Sequence, residues 1–288
     1  MKITFGQTGS AVVIKFRRHN LGRYQKSANN KKKFHKKSRL AFSFFSINLI
    51  LLNKKYIVMN QPSVLITGSN RGIGLKLVEL YAKKNFYVLA TCRDISRADQ
   101  LDSMAKQYSN IQILALDVAQ SEDIQKLANT LKKQPIDILI NNAGIWRSSS
   151  LSSASKQAWL ESFTTNAIAP YEIAQAFLPN ILDGSLKKVV SITSKMGSIA
   201  DNTSGGSYIY RSSKSALNMV MRSLQHDLQS HGIATLTLHP GWVQTDMGGM
   251  NALINVDQSV VGMMEIIDSL TLENSGQFVD YAGKTIAW

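Results

Sequence analysis

Cysteine is nearly missing from this sequence: Cys92 stands alone in 288 residues. One thiol cannot close an intramolecular disulfide, and no closely spaced Cys and His residues match a zinc-ligand pattern, so no metal is expected and a reducing compartment is the default. Only five prolines are present, which excludes a proline-rich linker or a collagen-like chain. Acidic residues are absent from one whole region. Residues 1–58 hold 14 of the 33 Lys+Arg and none of the 19 Asp+Glu, so the formal charge of +14 lies entirely there and residues 59–288 carry 19 of each sign. A basic surplus argues for nucleic acid or an anionic membrane only where it is located; the body of the chain gives neither argument. Long apolar runs are also lacking. Leu40 to Leu52 would span roughly 20 Å as a helix, short of the ~30 Å hydrocarbon core of a bilayer. No GxSxG elbow, GxxxxGK[ST] loop or HExxH helix occurs.

The leader carries Lys31-Lys32-Lys33 and Lys36-Lys37 ahead of that apolar stretch, and no helical or strand period runs through it. It reads as disordered or as no part of the mature protein, an upstream stretch read in frame before a start at Met59. The alternatives are an organelle transit peptide, a membrane-surface anchor and a nucleic-acid arm, the last disfavoured because no aromatic side chains interleave the lysine cluster in a stacking pattern. The expected organisation is therefore a leader over 1–58 and one domain over 59–288, a length that one core can support.

In the body, apolar runs of strand length alternate with helical stretches. The runs are 64–67, 87–91, 111–116, 136–140, 188–193 and 233–238. Continuous apolar runs suit strands covered on both faces. Ile73, Leu77 and Leu80 share one helical face, and Ser121-Glu122-Asp123 reads as a cap followed by first-turn acids. The pattern predicts an α/β fold: one doubly wound parallel sheet with helices on both faces.

The first run is followed by Thr67-Gly68-Ser69-Asn70-Arg71-Gly72-Ile73-Gly74. Glycines between a strand and a helix let the backbone turn sharply and approach a pyrophosphate at the helix N-terminus. The spacing GxxxGxG with Thr before it resembles the short-chain dehydrogenase/reductase family, and the likeness continues through residues 62–288. Leu116-Asp117-Val118 is similar to that family's adenine contact, Asn141-Asn142-Ala143-Gly144 to its NNAG motif, and Pro240-Gly241-Trp242-Val243-Gln244-Thr245 to the PG motif whose Val and Thr meet the nicotinamide carboxamide. The resemblance implies a Rossmann-type sheet of about seven strands in the order 3-2-1-4-5-6-7. It implies a dinucleotide held by Gly68, Asn70, Arg71, Gly72, Ile73, Gly74, Asp117, Val118, Asn142, Ala143, Gly144, Pro240, Gly241, Val243 and Thr245.

Cofactor choice is argued from charge. NAD-dependent enzymes usually place a carboxylate after the second strand, and NADP-dependent ones a cation for the 2′-phosphate. The acid position reads as Cys92, which repels nothing; Arg93 follows, with Arg71 as a second cation. NADP(H) is expected over NAD(H). Asp94 complicates this, since a one-residue shift would bring it to the ribose.

Tyr210 and Lys214 form a YxxxK pair, on one helical face by their i, i+4 spacing. Ser194, at the end of the fifth run, completes the family's Ser…Tyr…Lys arrangement, and Asn166 stands where the family carries its fourth catalytic residue. Tyr210 and Lys214 also count among the cofactor contacts. Carbonyl reduction needs a proton donor and a stabiliser of developing negative charge. Tyr210 is the expected donor, with a pKa lowered by Lys214 and the positive nicotinamide, by ~3 units or about 4 kcal/mol. Ser194 is expected to hold the carbonyl oxygen, and the resemblance implies a relay through Asn166 and Lys214. Thr193 is a rival for the serine role but points to the other face. Pro170 is expected to kink the helix of Asn166, because its ring clashes with that residue's carbonyl. His226, His231 and His239 read as structural.

Residues 207–218, 239–249 and 275–288 look like the carbonyl reductases of the sniffer and C-signal group. Few residues separate Gly249 from the next helix, which implies a short lid and a permissive cleft, with Trp146, Trp242 and Met247 as apolar walls. The expected activity is NADPH-dependent reduction of small hydrophobic aldehydes or ketones. The alternative is a nucleotide-binding, C-signal-like regulatory protein in which catalysis is secondary. A cytoplasmic location, no nucleic-acid partner, no membrane association and a homodimer through the helices of Asn166 and Tyr210 complete the expectation.

Overall fold

The computed structural model describes residues 3–8, 11–16 and 61–288, and the chain divides into two units, Met1–Ile57 and Val58–Trp288. The lysine runs, the apolar stretch 40–52 and Met59 lie outside the described residues. In the first unit β1 (Ile3–Thr8) and β2 (Ala11–Phe16) pair antiparallel, with Thr8 opposite Ala11 and Ile3 opposite Phe16. The sequence reading found no strand period there. The signal it passed over is the two-residue Gly9-Ser10 spacing between two β-prone runs, a hairpin cue independent of period.

The second unit alternates strand and helix: β3 (Ser63–Ile66), α1 (Gly72–Lys83), β4 (Tyr87–Cys92), α2 (Asp99–Gln107), β5 (Ile111–Ala115), α3 (Ser121–Thr130) and β6 (Ile138–Asn141). Next come α4 (Lys156–Phe163), a π-helical turn (Thr164–Ile168), α5 (Ala169–Ala176), α6 (Leu178–Asp183), β7 (Lys188–Ile192), α7 (Tyr208–Gln229), β8 (Ala234–His239), α8 (Val256–Asp268) and β9 (Gln277–Asp280). The strands form one seven-stranded sheet in the order β5-β4-β3-β6-β7-β8-β9, and every pairing in it is parallel. Counted within this sheet the order is 3-2-1-4-5-6-7, as expected. β9 had no apolar run to announce it, because the strand is only QFVD.

Period-two alternation explains why the strands are apolar throughout. Val64, Ile66, Val88 and Ala90 enter one core with Leu77, Val78 and Tyr81 of α1 and Met263 and Ile267 of α8. Leu65, Leu89 and Leu139 enter the other, with Ile124 of α3, Ile173 of α5 and Leu217 and Met221 of α7. The central strands thus feed two cores, whereas β8 gives Ala234, Leu236 and Leu238 to the first and carries buried Thr235 and Thr237 on its other face. The inner stripe of α1 is Gly74, Leu77, Val78 and Tyr81, shifted by part of a turn from the expected Ile73, Leu77 and Leu80. Ser121 does not cap α3: Gln120 holds the N-cap position, and the Ser121 hydroxyl donates to Glu172 of α5 at 2.9 Å. Among the described residues no helix is long and apolar enough to cross a membrane.

The order reverses at β3, whose neighbours are β4 on one side and β6 on the other. At such a switch point two crossovers leave in opposite directions and open a crevice beyond the carboxyl ends of the strands, where ligands of doubly wound sheets bind.

Candidate active site

Gly68 and Gly72 adopt left-handed φ of +66° and +52°, which side chains resist. Gly74 is closed by contact instead: a Cβ there would strike the Gly68 carbonyl and reach within 2.6 Å of Asn142 Nδ2. α1 begins with no side-chain cap and no acid in its first turn. A helix start with unsatisfied N–H groups, approached by bare backbone, fits a phosphate. The turn is braced from β6: Thr67 Oγ1 accepts from the N–H of Asn142 and of Ala143, each at 3.0 Å. Asn142 Nδ2 donates to the carbonyls of Thr67 and Gly68 at 2.8 and 2.9 Å. Asn142 therefore holds the turn's shape.

The charges expected to choose the cofactor are arranged differently from the sequence reading. Cys92 is the last residue of β4 and its side chain is buried in the α1-side core, so strand alternation turns that position away from the crevice and burial pushes its thiol pKa up. Arg93 is the first exposed residue beyond the strand. The Asp94 carboxylate is engaged locally: it caps the short turn Ile95–Arg97, accepting from Ser96 N–H at 3.0 Å and Ser96 Oγ at 2.6 Å. Arg71 is paired, its Nη1 lying 2.9 Å from Asp246 Oδ2, with both side chains largely exposed. Asp246 follows Thr245, whose methyl would lie 3.3 Å from a Cβ at Gly72. The glycine turn and the PG segment thus meet. Asp117 accepts from its own Ala119 N–H at 3.0 Å, Val118 is buried, and the Pro240 carbonyl accepts from Ser259 Oγ at 2.6 Å.

Ile145 and Asn166 clasp each other: Asn166 Oδ1 accepts from Ile145 N–H at 2.8 Å, and its Nδ2 donates to Ile145 O at 2.9 Å and to Ser213 Oγ at 3.0 Å. Asn166 sits in the π-helical turn Thr164–Ile168, and Pro170 falls near the start of α5. The expected kink takes this form because Pro170 has no N–H to return to the carbonyl of Asn166, and a widened turn absorbs the mismatch. Ser194 lies two residues beyond β7 and caps the short turn Lys195–Gly197, its Oγ accepting from Met196 N–H at 3.1 Å. Thr193 faces the other way, donating to Asn218 Oδ1 at 2.7 Å.

Tyr210 and Lys214 occupy the first two turns of α7, and both are buried. Lys214 Nζ donates to the Ile192 carbonyl at 2.9 Å and lies 5.9 Å from the centre of the Tyr210 ring. A Cβ built on Gly144 would lie 3.3 Å from Asn166 Oδ1 and 3.6 Å from Lys214 Nζ, so these two side chains converge on the NNAG backbone. Burial lowers the Lys214 pKa to about 8. Burial raises the Tyr210 phenol to about 12, opposed in part by a hydrogen bond from Ser194. The expected depression of the phenol pKa is thus not a property of the protein alone, since desolvation of the phenolate outweighs its neighbours.

Trp146 packs on Tyr210 with ring centres 4.5 Å apart, and Trp146, Trp242 and Met247 are 38%, 51% and 48% exposed, so core packing does not account for them. The short lid is tied to itself: Trp242 Nε1 donates to Gly248 O at 2.7 Å, and Gln244 N–H to Ile254 O at 2.9 Å. The sequence reading missed Ser213, Ser149 and Asp246. Ser213 lies inside the YxxxK pair, where spacing drew attention only to the ends. Ser149 Oγ accepts from Ile209 N–H at 3.0 Å, filling the capping role beside Ser207, which is left-handed at φ +46° and makes no side-chain cap. His239 is largely buried, and desolvation lowers its pKa to about 4.

Comparison with known proteins identifies the family. The model of the family described as short chain dehydrogenase matches residues 62–252. C-signal of Myxococcus xanthus is 47% identical over 157 residues, covering 54% of this chain and 93% of its own length. Among solved structures, the NADPH-bound carbonyl reductase from chicken fatty liver is 39% identical with a TM-score of 0.75, covering 79% of this chain and 99% of that one. The carbonyl reductase Sniffer of D. melanogaster is 37% identical with a TM-score of 0.74, covering 79% and 100%. The chain belongs to the short-chain dehydrogenase family, and it is an NAD(P)-dependent oxidoreductase.

Proposed function

We propose that the protein is an NADPH-dependent carbonyl reductase acting on small hydrophobic aldehydes or ketones. The observation that carries this reading is the convergence of Asn166 and Lys214 on Gly144, with Tyr210 one helical turn from Lys214 and Ser194 against Tyr210. The bound dinucleotide would supply the hydride. The protein's own part is then proton and charge management at the substrate oxygen. Ser194 Oγ–H donates a hydrogen bond to that oxygen, and the Tyr210 hydroxyl, protonated throughout neutral pH, gives up its proton to it. The cationic Lys214 stabilises the phenolate left behind, and Asn166 fixes the Ile145 segment beside it. Gly68, Asn70, Gly72, Ile73, Gly74, Asn142 and Ala143 form the phosphate-side cradle; Asp117 and Val118 flank the adenine, and Pro240, Gly241, Val243 and Thr245 the nicotinamide.

Preference for NADP(H) rests on Arg93, exposed beyond β4, and on the withdrawal of Asp94 into its cap. The NADPH-bound carbonyl reductase relative supports the same choice. The apolar walls Trp146, Trp242 and Met247 favour aromatic or aliphatic substrates over charged ones. Residues 59–288 act as the working domain and 1–58 as a leader that catalysis does not need. The protein works in the cytoplasm as a homodimer through the helices of Asn166 and Tyr210, whose outer side exposes Leu160, Ile168, Tyr171 and Met219. Light scattering tests the dimer, and mass spectrometry of the native N-terminus tests the leader.

Likeness to C-signal favours a second reading, nucleotide-dependent signalling with catalysis secondary. A panel of aldehydes and ketones followed by NADPH absorbance separates the two. Turnover that is abolished in Tyr210→Phe supports the enzyme; no turnover on any substrate, with intact NADPH binding, supports the signalling role.

A further inference from the structure

The segment joining Ser194 to Tyr210 is held from outside by the tail of the chain. After β9 the backbone turns at Asp280, whose Oδ1 accepts from the N–H groups of Ala282 and Lys284 at 3.0 and 2.9 Å. It then runs back along β9, with Asp280 N–H donating to Lys284 O at 2.9 Å and Ile286 N–H to Phe278 O at 2.8 Å. This return delivers Trp288 to the loop beyond Ser194. The Trp288 carbonyl accepts from Ala200 N–H at 3.1 Å and from Ser198 Oγ at 3.4 Å, and its ring lies on Phe278, centres 5.3 Å apart. Phe278 is fully buried in the sheet, so the indole has a rigid seat.

The held loop connects directly to the candidate site. Ser198 follows the Lys195–Gly197 turn capped by Ser194, and Gly197 packs so closely on Lys214 that an added Cβ would come within 2.9 Å of its backbone. On the far side Asp201 N–H donates to Ser198 Oγ at 3.0 Å, and Asp201 pairs with Lys195 at 3.1 Å. Ile199, between the two anchor points, is 78% exposed. It is an exposed branched side chain on a loop tied at both ends, five residues from Ser194 in the chain. Gly205, Gly206 and Ser207 are all left-handed, so the next stretch has little regular structure to hold this loop in place.

We propose that Trp288 is a positioning residue: through its carbonyl and its seat on Phe278 it holds the Ser198–Ala200 loop, and so sets the substrate-side wall next to Ser194. This rests on the carbonyl-reductase reading for its kinetic consequence, but not for its structural one. The strap touches neither the glycine turn nor Lys214 directly, so its loss acts on substrate rather than on nucleotide.

The test compares the full chain with a chain stopped after Ala287 and with Trp288→Phe. Hydrogen exchange at the Ala200 amide reads the strap without any assay of turnover. Exchange there should speed up by about tenfold or more in the shortened chain while β3 and β4 stay protected. For a hydrophobic ketone, KM should rise by about tenfold with kcat and the NADPH Kd changed by less than about threefold, and Trp288→Phe should restore most of the loss. Unchanged protection at Ala200, or kcat and NADPH affinity falling together with KM, overturns the proposal. If no carbonyl compound is turned over by the intact chain, the functional reading fails while the exchange result still decides the strap.

Discussion

The two ends of the crevice solve recognition in opposite ways. At the nucleotide end the working groups are backbone: two left-handed glycines, an uncapped helix start, and a glycine that admits no side chain. The cations there, Arg71 and Arg93, are exposed, Arg71 in a surface pair with Asp246. At the chemistry end the working groups are side chains, and Asn166, Ser194, Tyr210 and Lys214 are all buried. Exposed charges interact through a high dielectric and tune affinity modestly. Buried ones are desolvated, have shifted pKa values and hold fixed geometry, as the downward shift of Lys214 and the upward shift of Tyr210 illustrate. On the proposed reading, nucleotide binding depends on backbone shape with exposed charge beside it, and chemistry on a few buried polar side chains.

The sharpest way to break that contrast is Tyr210→Phe, which should lower kcat by about 10³-fold or more while the NADPH Kd from fluorescence titration moves less than about twofold. Gly74→Ala reverses the pattern: its methyl strikes the Gly68 carbonyl, so nucleotide Kd should weaken by about 10²-fold, with circular dichroism checking that the fold survives. Arg93→Ala should reduce the ratio of kcat/KM for NADPH over NADH by about tenfold, the loss expected of one charge-assisted pair. The pH profile of reduction should stay level below about 8 and fall above it as Lys214 loses its proton. Lys214→Arg should move that falling limb upward, and a limb that stays put would assign it to another group. Smallest is Asp246→Asn, which releases Arg71 from an exposed pair and should tighten NADPH by no more than about threefold.

Much of this architecture was legible because strands and turns are local patterns. Continuous apolar runs at 64–67, 87–91 and 188–193 could satisfy only a sheet covered on both faces, and the glycine turn and the YxxxK spacing are short-range signals. β9 and the hairpin β1–β2 escaped because neither has a long apolar period. Ser121 looked like a cap, yet its hydroxyl bonds Glu172, a partner fifty-one residues away that no local pattern contains. Cys92 reads as the acid position after the second strand, and strand alternation, visible from Ala90 and Thr91, puts its side chain in the core instead.

Residue types and their order along the chain determined an alternating strand–helix pattern and the glycine turn of a nucleotide-binding end, and the family resemblance carried by these motifs implied the strand order and Asn166, Ser194, Tyr210 and Lys214 as candidates. Only the folded structure decided what each of them meets: Arg71 with Asp246, Asp94 with its own turn, Asn166 with Ile145 and Ser213, and Trp288 with Ser198 and Ala200. The division has a physical cause. Backbone conformation and burial pattern follow from near neighbours, whereas hydrogen-bond partners and pKa shifts depend on which distant atoms packing brings within about 3 Å and on how much water it removes.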